Sequence, residues 1–171
     1  LSLDHLAKMT AGLDWSEHYK NPFDITAQAY YGSDIETTIL KKVTVCRRPG
    51  TQFEYQSGAT QILGLCLMNV TGKSLSALME EWFWKELNAE KPATWHLDSE
   101  DGKELAYCCF NSNARDFARF GKLLLNNGNW EGKSILDSAF IAESSLGSFN
   151  NFYGRSFWLY KDAQAGDIFY M

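Results

Sequence analysis

Tyr55 and Ser57 stand two residues apart in the stretch Arg47-Arg-Pro-Gly-Thr-Gln-Phe-Glu-Tyr-Gln-Ser-Gly58, and they are the residues best placed to do chemistry. A Pro49-Gly50 turn precedes the pair, and a strongly apolar run from Ala59 to Met68 follows it. That run is apolar on nearly every face, which predicts a buried helix. A phenol at the end of such a helix can be desolvated or paired with a cation, and its proton then becomes available for acid–base chemistry. Taken alone, Tyr-x-Ser more often marks a buried tyrosine whose hydroxyl is satisfied. The surroundings have to decide.

The elements that must position the pair are mainly helical. Ser2 caps a helix to about Met9, with Leu3 and Leu6 inward and Gly12 past its end. A loop with Trp15 and Asn21-Pro22 follows. Ser33-Asp-Ile-Glu36 reads as a capping box for a helix through about Val43. The buried helix ends near Val70-Thr-Gly72, and Ser74 opens an amphipathic one with Leu75, Leu78, Met79, Trp82 and Phe83 on one face. Residues 93–97 and 104–110 read as short strands around the loop Asp98-Ser-Glu-Asp-Gly102. Asn113 to Asn126 is the cleanest helix, with Ala114, Phe117, Ala118, Gly121, Leu124 and Leu125 facing inward and Asn127-Gly128 closing it. A weaker helix near 138–145 and strands at 156–160 and 167–170 complete the chain.

Other motifs fail on spacing. Gly128 to Ser134 is one residue short of a phosphate loop, and Gly72-Lys73-Ser74 lacks its first glycine, so both predict turns before helices. No G-x-S-x-G elbow surrounds Ser57. Asp98, Glu100 and Asp101 read as a solvated loop. Trp15, Trp95 and Trp158 read as core or pocket walls. Cys66 reads as an inert core residue, and adjacent Cys108 and Cys109 would point to opposite faces of a strand. No C-x-x-C occurs and the histidines are scattered, so no metal or other cofactor is called for.

The chain has 171 residues, 45% of them hydrophobic and 15% aromatic, enough for one folded domain with a substantial core. A net charge of −5 without a basic block argues against nucleic-acid binding. No uninterrupted apolar stretch reaches the length of a membrane span. Both ends look cut, which predicts a piece of a longer protein, and oligomeric state stays open.

Several segments resemble one family in the right order. Leu3 to Trp15, Pro49-Gly-Thr-Gln-Phe-Glu-Tyr55-Gln-Ser57, Thr71-Gly-Lys-Ser-Leu75, Ala114-Arg-Asp-Phe-Ala-Arg-Phe-Gly121 and Asn127-Gly-Asn-Trp130 resemble stretches of the serine β-lactamase-like hydrolases. That family includes class C β-lactamases, DD-peptidases, related esterases and 6-aminohexanoate-dimer hydrolases. The serine ending of Tyr-Gln-Ser is most similar to the last branch.

The resemblance implies an α/β fold of the β-lactamase/transpeptidase type. Residues 1–171 would be a single partial domain, its predominantly helical region with a few short strands. It implies a bacterial enzyme that cleaves a small-molecule or peptide amide or ester through a Ser–Lys–Tyr system and an acyl-enzyme. By resemblance Tyr55 is the catalytic proton relay and Ser57 the residue that hydrogen-bonds the lysine or the substrate. Ser-x-x-Lys, which carries the nucleophile, occurs nowhere here, nor does Lys-(Ser/Thr)-Gly or His-x-Gly. Two explanations fit: a helical region cut from a whole enzyme, favoured by the ragged ends, or a catalytically dead relative. The chain alone is therefore expected to be inactive. A peptide- or cell-wall-binding protein on the same fold is the alternative. Most relatives work in the periplasm or at the cell surface, and some are cytoplasmic.

Overall fold

The computed structural model describes residues 1–147, 149–162 and 166–170. Ser2 accepts a hydrogen bond from the His5 N–H and starts α1, Leu3–Ala7. This helix is shorter than expected because Met9 turns left-handed at φ 55°. Leu6 is buried as expected, whereas Leu3 is 59% exposed. The segment expected as a loop holds α2, Ile25–Tyr31, capped by Asp24. Helix α3 spans Ile35–Lys42, and its cap is Asp34, whose carboxylate accepts from the Thr37 N–H, rather than Ser33. Asp98 also departs from its solvated-loop expectation: it accepts the Ile35 N–H at 2.7 Å and the Lys103 N–H at 2.8 Å. It thereby ties the 98–102 loop to the start of α3.

Helix α4, Ser57–Thr71, runs to a left-handed Gly72, as the apolar run predicts. Its burial is one-sided. Ala59 and Gln61 are fully covered, whereas Val70 is 85% exposed; α1 packs beside the helix. Ser74 caps α5, Leu75–Met79, which continues into a π-helical turn, Glu80–Trp84. Leu75 and Leu78 face inward, but Trp82 is exposed.

Strands β1, Thr94–Trp95, and β2, Phe110–Asn111, pair antiparallel, with a further bridge between Leu97 and Glu104. Cys108 and Cys109 do not point apart: they are disulfide-bonded to each other. The strand begins only at Phe110, and Cys109 turns left-handed at φ 69°, which brings its side chain to the side of its neighbour's.

Asn113 accepts the N–H groups of Arg115 and Asp116 and starts α6, Ala114–Leu125. The inward face is rotated from the expected one. Asp116, Leu123 and Leu124 are buried, while Phe117 and Leu125 are exposed. The cause is Asp116, which accepts from the Glu90 and Lys91 N–H groups at 2.8 and 3.1 Å and so turns inward. Strands β3, Asn129–Trp130, and β4, Lys133–Ser134, form a hairpin, so Gly132 lies in its turn and Lys133-Ser134 in its second strand, rather than in a turn before a helix. Helix α7, Ser138–Ser144, precedes the antiparallel pair β5, Trp158–Asp162, and β6, Gly166–Tyr170.

One apolar cluster gathers Leu6, Met9, Leu13, Trp15, Ile35, Ile39, Ala59, Leu105 and Tyr153. A smaller one holds Leu87, Leu123 and Trp130. No single described helix is long and apolar enough to cross a membrane.

Glu104 links α4, α5 and the β1–β2 loop. It is 2% exposed, its backbone carbonyl accepts from Gln61, and its Oε1 accepts the Ser76 N–H at 2.8 Å. Burial pushes its carboxyl pKa up, but hydrogen bonds from Ser76 and from backbone N–H groups outweigh that and hold it below the usual value. A depressed folded pKa contributes stability above the unfolded value of about 4.3. That contribution is lost as pH falls through the folded pKa. We expect Glu104→Gln to lower the melting temperature at neutral pH and to flatten its decline in acid. Thermal unfolding across pH 3–7 of both proteins, a range of about four units around the carboxylate pKa, checks this. Parallel curves would contradict it.

Candidate active site

The head of α4 leaves backbone donors without helical partners. Its cap residue, Gln56, makes no side-chain cap bond. Glu17, forty residues away in sequence, takes that role: Oε1 accepts the Ser57 N–H at 2.6 Å and Oε2 accepts the Ser57 hydroxyl at 3.0 Å. The helix N-terminus favours this negative charge. Trp15 Nε1 also donates to Glu17 Oε1, at 2.8 Å, and fixes the carboxylate.

Gln56 does the positioning. Its side chain is 1% exposed; Oε1 accepts the Leu13 N–H at 3.2 Å, and Nε2 donates to the Leu13 carbonyl at 2.8 Å. One buried amide therefore binds the strand-like 13–15 segment to the residue between Tyr55 and Ser57. Gly58 completes the contact, since a Cβ there would lie 2.4 Å from the Trp15 ring. We expect Gly58→Ala to lose about 3 kcal/mol to overpacking. The gain of about 1 kcal/mol in helix propensity offsets only part of that. The net loss of about 2 kcal/mol lowers the melting temperature by about 4–8 °C, measurable by calorimetry. An unchanged or raised melting temperature would contradict the close contact.

Tyr55 is 38% exposed. Its ring stacks on Trp158 at 5.2 Å between centroids and meets Tyr153 edge-on at 6.0 Å. Trp158 is thus a wall of the site, whereas Trp15 is core and Trp95 lies half-buried beside Phe110. Partial burial pushes the Tyr55 phenol pKa above its ordinary value, and the negative Glu17 and the Tyr19 phenol add to the shift. Of the two environments open to this phenol from sequence, the structure shows desolvation and no cation among its causes.

Two further phenols belong to the same cluster. Tyr19 meets Tyr30 edge-on at 6.0 Å; burial, with Glu17 and Tyr30, raises its pKa, although the nearby Ser57 hydroxyl opposes the shift. Tyr107 is pushed up strongly by burial and then by Tyr19, Tyr30 and Glu17. Its hydroxyl is buried and has no hydrogen-bond partner among the described residues. Tyr55, Ser57, Glu17, Tyr19 and Tyr107 therefore form one phenol-rich group with Glu17 as its single carboxylate. Sequence reasoning found the first two only. Glu17 and Tyr19 sit in an unpatterned loop, and Tyr107 precedes the cysteine pair, so no spacing rule connects them.

The group can hold and orient protons, with hydroxyls on several sides and one carboxylate as acceptor. A cavity of about 790 Å³ lined by Trp84, Trp95, Phe110 and Lys91 contains none of its members. Among the described residues, no group of three or more His, Cys, Asp or Glu side chains converges to hold a metal.

Comparison with known proteins first defines the class. The fold matches that of a Pyrococcus abyssi octameric penicillin-binding protein homologue, with TM-score 0.71 and 17% identity over 96% of this chain and 44% of that one. A Bacillus anthracis protein described as a "putative 6-aminohexanoate-dimer hydrolase" is more similar, with TM-score 0.78 and 28% identity over 98% of this chain and 54% of that one. The β-lactamase/transpeptidase-type fold implied by the sequence is thereby shown, as a part of that α/β architecture. The Beta-lactamase family model matches residues 1–166, so the chain belongs to the Beta-lactamase family. The 6-aminohexanoate-dimer hydrolase of Paenarthrobacter ureafaciens is 28% identical over 90 residues, 53% of this chain and 23% of that protein. The chain thus spans less than a quarter of that curated relative in the matched region, and about half of the similar structures.

Proposed function

We propose that residues 1–171 are the helical part of a serine hydrolase that cleaves an amide or ester bond through an acyl-enzyme. The observation that carries this reading is the phenol-rich group at the head of α4. Its Tyr55 matches, by resemblance, the tyrosine of the family's second motif, and Ser57, Glu17 and Tyr19 lie around it.

The roles follow from the local chemistry. Tyr55 relays a proton between the attacking serine and the leaving group, held in register by Trp158 and Tyr153. Ser57, fixed by Glu17, presents its hydroxyl to the incoming lysine or the substrate. The neighbours of Tyr55 here hold its proton on, so a cation from elsewhere in the protein must release it. A lysine in Ser-x-x-Lys would do this and would also activate the nucleophile. The substrate is a small-molecule or peptide amide or ester, and the site of action is the periplasm or cell surface.

The chain alone lacks both Ser-x-x-Lys and the third motif. Incubated with a chromogenic β-lactam or a p-nitrophenyl ester, it should give no enzymatic turnover and no covalent adduct by mass spectrometry. The full-length protein should give both. Turnover by the isolated chain, or none by the full-length protein, would overturn the reading.

A further inference from the structure

We propose that the Cys108–Cys109 bond is a reversible dithiol/disulfide switch that sets the position of Tyr107 in the candidate site. The proposal builds on the hydrolase reading for its effect on activity, but its structural core is independent of it.

The bond joins sequence neighbours whose Cα atoms are 3.7 Å apart, which closes a ring through the peptide between them. Cys109 sits at φ 69°, a region unfavourable for a residue with a Cβ. The backbone around the pair is clamped from one side. Trp95 Nε1 donates to the Cys108 carbonyl at 3.0 Å, and the His96 N–H and Asn111 Nδ2 donate to the Cys109 carbonyl at 3.2 and 2.9 Å. The Cys108 N–H donates back to the Leu105 carbonyl at 3.1 Å. Tyr107 lies inside this turn.

The turn and packing against the main apolar cluster fix the Tyr107 ring, while its buried hydroxyl has no hydrogen-bond partner among the described residues. Cutting the bond frees Cys109 to leave the left-handed region, and the turn relaxes with it. The phenol then has an acceptor within its own group. Tyr107 packs against the apolar cluster that includes Trp15, whose indole N–H donates to Glu17 at 2.8 Å, and Glu17 already holds Ser57. A rearranged Tyr107 competes for Glu17 and loosens Ser57 at the head of α4.

The redox step needs a small dithiol as reductant. Its thiolate attacks the Cys109 Sγ, the Cys108–Cys109 bond breaks, and the Cys108 thiolate leaves and takes up a proton. The second thiol of the donor, as thiolate, then attacks its own sulfur in the mixed disulfide. The Cys109 thiolate leaves and is protonated, and the donor departs as a cyclic disulfide. Both cysteines are half-buried, within reach of a small reagent. Cys46 and Cys66 are free thiols and serve as internal controls for labelling.

The test uses the full-length protein with dithiothreitol. Alkylation before reduction should label Cys46 and Cys66 but neither Cys108 nor Cys109, and reduction should expose both. Hydrolysis of a p-nitrophenyl ester should fall about tenfold on reduction and return on reoxidation, the size expected for a displaced site group. Cys109→Gly accepts the left-handed conformation without the bond; it should keep the oxidised rate and ignore dithiothreitol. Cys109→Ala should sit near the reduced rate.

Labelling of Cys108 and Cys109 before reduction would overturn the switch. So would complete reduction that changes neither the rate nor the near-ultraviolet circular dichroism of Trp95 and Tyr107. If neither redox state hydrolyses the ester, the hydrolase reading fails by itself. The dichroism then decides: a reversible change supports the switch, and an unchanged spectrum overturns it.

Discussion

Tyr55→Phe in the full-length protein should lower kcat for an ester or amide by about 100- to 10,000-fold, the usual contribution of a positioned general acid–base group. The phenyl ring keeps the stacking on Trp158 and the edge contact with Tyr153, so folding should be preserved. The melting temperature should therefore stay within about 2 °C of the parent, since the buried apolar contacts are retained. KM should change far less than kcat, because the hydroxyl is used in the transition state rather than for ground-state binding. Steady-state kinetics with a calorimetric control on the same preparation makes the comparison. A variant that retains more than a tenth of parental kcat, less than about 1.4 kcal/mol of lost barrier stabilisation, would remove Tyr55 from the proton relay.

Gln56→Leu should destabilise the protein by about 3 kcal/mol, because it strands a buried N–H and a buried carbonyl. Leucine has nearly the volume of glutamine but none of its hydrogen-bonding capacity. The Leu13 N–H and carbonyl would lose their partner inside the protein. The expected fall in melting temperature is about 6–12 °C for a chain of this size. Activity at a temperature where the variant is still folded should also fall. The 13–19 loop, which carries Glu17 to Ser57, is anchored through this amide together with the Asp14 N–H bond to the Thr44 carbonyl. Gln56→Glu retains an acceptor for the Leu13 N–H but loses the donor to the Leu13 carbonyl, so it should not restore stability. Denaturant or thermal unfolding of both variants checks the argument; a melting temperature within about 2 °C of the parent for Gln56→Leu would contradict it.

Much of the helical framework was legible because its signals are local. Asn113 caps α6, and the apolar run ending at Gly72 gives α4, since caps and glycine stops act within a few residues. Helix α2 was missed because its buried residues, Thr26, Ala27 and Ala29, are small and make no apolar stripe. The α6 face was misread because a pattern of apolar spacings treats Asp116 as outward. The backbone of residues 90–91 needs an acceptor, and that need turns the carboxylate in.

The candidate site shows the same division. Tyr55 and Ser57 are neighbours in sequence and share a motif, so they could be read together. Glu17 and Tyr107 reach them only through tertiary contacts: the Gln56 clamp, the bare Gly58 surface under Trp15, and the turn closed by the cysteine pair. None of these has a fixed spacing to Tyr55. The rotation of Cys109 that closes that turn depends on a single backbone angle, which an alternating strand pattern cannot express.

The most direct test of the account is the location of the acyl group. The full-length protein would be trapped with a slowly deacylating β-lactam or an activated ester, digested, and mapped by mass spectrometry. The account predicts one adduct on the serine of a Ser-x-x-Lys motif outside residues 1–171, and none on Ser57. A stoichiometric adduct on Ser57 would contradict it, making that serine the nucleophile and removing Tyr55 from the role of partner to a distant one.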